Sequence, residues 1–235
     1  KRHGVTLNKS IVCMEHTGIY NNIILSYFHD KQVAIALEHG RQIKQSMGMV
    51  RGKNDKIDAL RICQYVRRFE DKIQLWKPEI TIITKIRHLT TQRKRLVNAK
   101  LQLKTPLKET QKWSPKQLVK EMNKINDPAI KTIEKQIKCV ERELLSIVQN
   151  DPVLKRLFEL TTSVAGVGSV LFYEFLLTTK EFTVITDPRR FASYAGIAPF
   201  DHTSGTSIKG KKRVSQMANK STKKLLHMAA LSVIS

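Results

Sequence analysis

The chain has 235 residues, of which 42 are Lys or Arg and 20 are Asp or Glu, leaving a formal net charge of +22. Hydrophobic residues make up 41 % of it, enough to bury a core and to exclude wholesale disorder. No apolar run approaches the ~20 residues of a membrane span, and Lys1-Arg2-His3-Gly4 lacks the apolar stretch of a secretory leader. A charge excess of this size opposes compaction unless a polyanion screens it. Nucleic acid is the usual polyanion; a basic protein with no such partner, or one held at an acidic membrane surface, is the plainer alternative. Cys13, Cys63 and Cys139 form no C-x-x-C pair, so neither a zinc knuckle nor a disulfide framework is encoded, and a reducing, cytoplasmic setting fits. The chain opens without Met and is expected to be part of a longer protein.

Residues 1–78 read as alternating strand and helix. Ser10-Ile-Val-Cys-Met-Glu15 is a short apolar run ending in a carboxylate, followed by an amphipathic stretch from Ile19 to His29 and a second strand-like run over 32–37. Asn54 is a candidate N-cap for a helix carrying Ile57, Leu60, Ile62, Tyr65 and Val66. That alternation implies an α/β unit with a mostly parallel sheet.

Residues 79–150 change period. Ile82, Ile86, Leu89, Leu96, Leu103 and Leu107 recur at three- and four-residue steps, with Arg93 and Lys100 interrupting the stripe. A cleaner heptad follows at Ile130, Ile133, Ile137, Val140, Leu144 and Ile147. Trp113-Ser-Pro115 and Asn126-Asp-Pro128 are expected to break the helices between them, and the seams predict an antiparallel coiled-coil arm. Nine Lys or Arg lie between 85 and 112, Arg93, Lys94 and Arg95 among them, against the single acidic Glu109, a pattern suited to a phosphate backbone. Residues 151–235 read as a mostly helical third domain, closed by a helix over about 219–234.

Three constellations could carry chemistry. Glu15 ends the first strand, and Asp55 and Asp58, three apart, project from one face of their helix. Clustered carboxylates from different elements hold the hard cations of phosphoryl transfer; a pair at a helix start also serves as simple dipole compensation. Second, Val164-Ala-Gly166-Val-Gly168 has the pattern of a helix-hairpin-helix, whose exposed backbone N–H groups suit DNA phosphate, or of an ordinary helix–helix turn. Third, Ser204-Gly205-Thr-Ser207 adjoins Lys209, Lys211, Lys212 and Arg213. A serine at a glycine-flanked turn beside cations could attack a phosphate, or the segment could be a basic hairpin that grips backbone.

Taken in order, Met14-Glu15-His-Thr17-Gly18-Ile-Tyr20, Gly52-Lys53-Asn-Asp55-Lys-Ile-Asp58-Ala59, Gly166-Val-Gly168, Tyr194-Ala-Gly-Ile-Ala-Pro199 and Ser204-Gly205-Thr-Ser207 resemble one family, the insertion sequence 110 transposases, which include Piv- and MooV-type DNA invertases. The resemblance implies α/β plus α architecture: a RuvC-like, RNase-H-type domain (1–78) with a D-E-D-D tetrad, a coiled-coil arm (79–150) and a C-terminal transposase domain (151–235). It implies Glu15, Asp55 and Asp58 as tetrad members holding Mg2+ or Mn2+, and Ser204 as nucleophile, with Ser207 in reserve and Tyr194 third. The tetrad's first aspartate is expected on a strand upstream of residue 1, which would leave the metal site incomplete and this chain inactive by itself, and the tail beyond the last helix is expected to be short for the family. The implied partners are DNA and an element-encoded bridge RNA, in a homo-oligomer, dimer or tetramer, at the nucleoid of a bacterium or archaeon, with no membrane. A junction-resolving metal nuclease without a covalent intermediate, or a non-catalytic nucleic-acid binder, are the competing readings.

Overall fold

The computed structural model describes residues 6–48, 54–204 and 208–234, with the side chains of 8, 201–204, 208 and 209 outside the description. Gly52, Lys53, Gly205 and Ser207, and the side chains of Ser204 and Lys209, therefore lie outside the described residues. The chain divides into two compact units, Lys1–Pro78 and Glu79–Ser235. It is mostly helical, with little sheet.

In the first unit β1 (Ile11–Glu15) pairs in parallel with β2 (Ala34–Glu38), Glu15 opposite Glu38, and α1 (Asn22–Asp30) makes the crossover. Parallel strands require such a connection, because a tight turn returns the chain antiparallel. Ile35 and Ala36 are buried, with Val33, Leu25 and Ile43 around them. α2 (Gly40–Ser46) follows directly, and α3 (Asp55–Arg68) begins where the Asn54 side chain accepts from Lys56 N at 2.9 Å. Asp55 and Asp58 occupy its first turn and Arg67 and Arg68 its last, each sign at the end of the helix dipole that favours it.

The second unit is built on two long helices, α4 (Thr81–Trp113) and α5 (Lys116–Asn150), which pack along one another. Four residues of the expected α5 seam, Ile130, Ile137, Leu144 and Ile147, are buried, as are Ile86 and Leu107 of α4. The expected break at Asn126-Asp-Pro128 does not occur: α5 runs through Pro128, and α4 through Pro106. An interior proline costs about 3 kcal/mol, and the buried apolar seam of α5 begins just after it, at Ile130. Asn126 Nδ2 donates to Met122 O at 2.9 Å, a side-chain bond inside the turn where the proline can donate none. The Trp113-Ser-Pro115 break is present, with Ser114 between the two helices.

α6 (Pro152–Thr162) is capped by Asp151, which accepts from Val153 N and Leu154 N. α7 (Ser169–Thr179) supplies Phe172, Tyr173 and Leu176 to the core, where they meet Ile83 and Ile86 of α4, Leu144, Ile147 and Val148 of α5 and Leu154 of α6. α8 (Pro188–Ala195) leads into an antiparallel hairpin, β3 (Phe200–Ser204) and β4 (Ile208–Arg213), and α9 (Lys220–Ile234) ends the unit. Buried Thr222 of α9 donates to Glu174 of α7 at 2.7 Å and ties the last helix to the core.

Candidate functional site

Glu15 is positioned by a small knot at the end of β1. Asn21, only 6 % exposed, donates Nδ2 to Glu15 O at 3.0 Å, and its Oδ1 accepts from Thr17 N at 2.6 Å and Thr17 Oγ1 at 3.0 Å. His16 N donates to Glu38 O at 2.8 Å, extending the parallel ladder one residue beyond the strand. Gly18 has φ +72°, a left-handed conformation that a side chain strains. Thr17, Gly18 and Asn21 thus shape the turn that follows the carboxylate.

The Glu15 carboxylate lies against the start of α2. A Cβ on Gly40 would overlap the Glu15 carboxylate group and meet its Cγ at 3.1 Å, so only a residue without a side chain lets Glu15 adopt this position. Asp58 stands in the first turn of α3. Glu15 and Asp58 both line a cleft of about 800 Å3, together with Arg41, Lys44 and Arg61. Arg61 Nη1 donates to Asp58 Oδ1 at 2.8 Å. Two carboxylates are the hard oxygen donors that a divalent cation takes, and here they come from a strand end and a separate helix. Asp55, one turn before Asp58, is exposed. Among the described residues no group of three or more His, Cys, Asp or Glu is close enough to hold a metal. Of the three expected carboxylates, then, Glu15 and Asp58 line one cleft and Asp55 is not in its lining.

Behind the cleft, Tyr65 donates to Glu38 Oε2 at 3.4 Å, and burial, then the Glu38 charge, raises its pKa. Burial, then Glu38 and Cys63, pushes the Cys13 thiol up to about 11.

The other expected site residues lie in the second unit. Ser204 is the last residue of β3, opposite Ile208. Tyr194 is exposed and its hydroxyl accepts from Asn219 Nδ2 at 3.0 Å; Asn219 Oδ1 in turn caps α9 by accepting from Ser221 N and Thr222 N. Gly166 has φ +79°, and a Cβ there would overlap Ala229 O and the Val233 side chain of α9; Gly168, with open space at the same point, is the N-cap of α7. Of this glycine pair, then, Gly166 is held against α9 and Gly168 is approachable.

The basic helix is partly neutralised from within its own unit. Lys85 pairs with Glu143 at 2.7 Å, Arg93 with Glu141 at 2.7 Å, Lys100 with Glu134 at 3.6 Å, and Arg87 with Glu79. Lys94, Arg95, Lys104, Lys108 and Lys112 remain exposed, with Lys94 Nζ donating to Ser221 Oγ at 3.1 Å. Lys211, Lys212 and Arg213 are exposed on β4. Sequence reasoning passed over Asn21, Gly40 and Arg61. Asn21, between Tyr20 and Asn22, carries no local signal, and like Gly40 and Arg61 it gains its meaning only from contacts made in the fold.

Comparison with known proteins places these features. A family model described as "Transposase IS116/IS110/IS902 family" matches residues 159–235, and a DEDD-type model described as "Transposase" matches residues 2–111. Two curated relatives, the pilin gene-inverting proteins of Moraxella bovis and Moraxella lacunata, are each 25 % identical to it over 189 residues, 80 % of this chain and 55 % of theirs. The chain thus spans about half the length of these relatives.

Proposed function

Because the chain belongs to the IS116/IS110/IS902 family of transposases, we propose that it cuts and exchanges DNA strands for a mobile element, using the carboxylates of its first unit and Ser204 of its second. The observation that carries this reading is the cleft shared by Glu15 and Asp58, which joins the end of a parallel strand to the start of a helix. In this reading the first unit is a RuvC-like domain, the α4–α5 pair is its coiled-coil arm, and the remainder is the transposase domain.

Glu15 and Asp58 would hold Mg2+ or Mn2+ at the cleft they line, with Asp55, one turn away on α3, as the third expected carboxylate. Such an ion supplies charge neutralisation at a phosphate oxygen. Gly40 leaves Glu15 room to face the cleft, and the Asn21 knot fixes the backbone that presents it. At Ser204 the Oγ attacks the phosphorus of a phosphodiester. The Oγ–P bond forms, the P–O bond to one deoxyribose breaks, the serine proton passes to solvent, and the leaving alkoxide takes up a proton. The phosphoserine link conserves the bond energy for rejoining. Lys211, Lys212 and Arg213 stand on the following strand, where they offset phosphate charge. The carboxylates and Ser204 belong to different units, so the reading requires them to act on one DNA within a copy or between copies of a homo-oligomer. A bridge RNA that pairs with both DNAs would choose the target.

The test is to incubate the full-length protein with magnesium, DNA and its element's RNA, denature it, and map any DNA-linked peptide. The reading expects a covalent adduct at Ser204, lost in Ser204→Ala and in EDTA. An adduct that persists in Ser204→Ala transfers the role to Ser207 or Tyr194 and overturns the assignment; metal-dependent cutting with no adduct at all establishes the junction-nuclease alternative.

A further inference from the structure

A second cleft, of about 620 Å3, lies within the second unit where α4, α5, α6 and α7 meet. Arg93 enters it from α4, and Lys135, Lys138 and Arg142 from α5, at steps of three and four residues that place all three on one helix face. Glu141 also lines it and already neutralises Arg93 at 2.7 Å. Lys135, Lys138 and Arg142 have no carboxylate within 4.0 Å among the described residues, which leaves three uncompensated cations on one opening.

The floor has its own signal. Tyr173 is 5 % exposed and lines the cleft, and its hydroxyl has no hydrogen-bond partner among the described residues. No fully buried side-chain N or O is left unpaired there, so this oxygen reaches the open space. Beside it Ser169 begins α7, whose first turn has no side-chain cap, and Gly168 places no atom over the backbone N–H groups. An unused hydroxyl, uncapped amides and three free cations converge on a single volume, and the chemistry they complement is an anionic oxygen cluster. Elsewhere in the unit Lys94, about 100° around α4 from Arg93, bonds Ser221 in the first turn of α9, where Lys220, Lys223 and Lys224 are exposed. Exposed cations on several elements of one unit fit a polymer better than a small anion.

We propose that this cleft is a DNA-backbone site: a phosphate of duplex DNA seats against Tyr173 Oη and the start of α7, clamped by Lys135, Lys138 and Arg142. The proposal rests on the reading of the chain as a DNA-acting protein but needs neither its metal nor its serine chemistry. It is tested by anisotropy with a labelled duplex in EDTA, where no strand is cut, over a range of NaCl concentrations. Each phosphate contact contributes about 0.9 to the slope of log affinity against log salt. The triple variant Lys135→Ala, Lys138→Ala, Arg142→Ala is expected to lower the slope's magnitude by about 2 to 3 and weaken binding at least about tenfold. Tyr173→Phe is expected to weaken binding several-fold with the slope unchanged, since it removes a hydrogen bond and no charge. An equal loss from Lys116→Ala, Lys120→Ala, Lys124→Ala, the same charge removed at the far end of α5, overturns the site, as does an unchanged slope in the cleft variant. Binding of an RNA hairpin through these residues, with the duplex unaffected by their loss, also overturns it. A failed covalent-adduct experiment with this salt response intact would separate the two proposals.

Discussion

Arg61 and Asp58 are joined at 2.8 Å one turn apart on α3, at the edge of the cleft that Glu15 lines from β1. The guanidinium sits where a divalent cation would compete for the same carboxylate. Arg61→Gln is therefore expected to tighten Mn2+ binding by a few-fold, because the competing charge is gone. It should change stability by no more than about 1 kcal/mol, as a partly exposed pair is screened by water. Isothermal titration with Mn2+ and a urea melt read the two effects; weaker Mn2+ binding would show that Arg61 orders the site rather than competing for it.

Asn21 makes its three bonds in a buried position. Asn21→Ala leaves Glu15 O and Thr17 N without those partners, a cost of about 0.5–1.5 kcal/mol for each of the three hydrogen bonds lost. The expected result is a first unit weakened by about 2–4 kcal/mol in urea, with Glu15 no longer held in the cleft. A loss below about 0.5 kcal/mol would mean that water replaces the side chain and that the knot positions nothing.

The two glycines of the turn between α6 and α7 should respond oppositely. Gly166→Ala meets both a left-handed φ and the carbonyl of Ala229, and is expected to cost more than about 2 kcal/mol. Gly168→Ala has open space and an extended-side φ of −99°, so stability should move by less than about 1 kcal/mol. Thermal melts of the two variants decide it, and similar losses would refute the packing of Gly166 on α9.

Cys13 supplies a pH signature. Its folded pKa of about 11 lies above the reference 9.0, so the neutral thiol is the form the fold prefers. The associated stability is complete below about pH 9 and disappears as pH rises toward 11. Urea midpoints of the first unit should fall across that window, and fall less in Cys13→Ala. Equal pH profiles for the two proteins would remove the cause assigned.

What was legible in the sequence was local or periodic. Asn54 reads as a cap because its neighbours start an amphipathic turn, and it does cap α3. The α5 seam reads as helix because its spacing is unbroken, and four of its six residues are buried. Pro128 misled because proline is a local breaker, whereas the buried seam that starts at Ile130 is a non-local gain. Part of the charge on α4 is compensated by partners that a local reading does not reveal: Glu143, Glu141 and Glu134 pair with Lys85, Arg93 and Lys100 from about 35 to 60 residues away in sequence. Glu15 and Asp58 were legible as candidates, but the agents that bring them to one cleft, Gly40 and the Asn21 knot, show themselves only once strand and helices are packed.

The most direct measurement is a double-mutant cycle on Mn2+ affinity with Glu15→Gln, Asp58→Asn and the pair. If the two carboxylates share one cation, each single change should weaken binding at least about tenfold, and the double should lose much less than the sum, since the second removal acts on a site already broken. Strictly additive losses, or Mn2+ binding unaltered by either change, would contradict a common metal at Glu15 and Asp58.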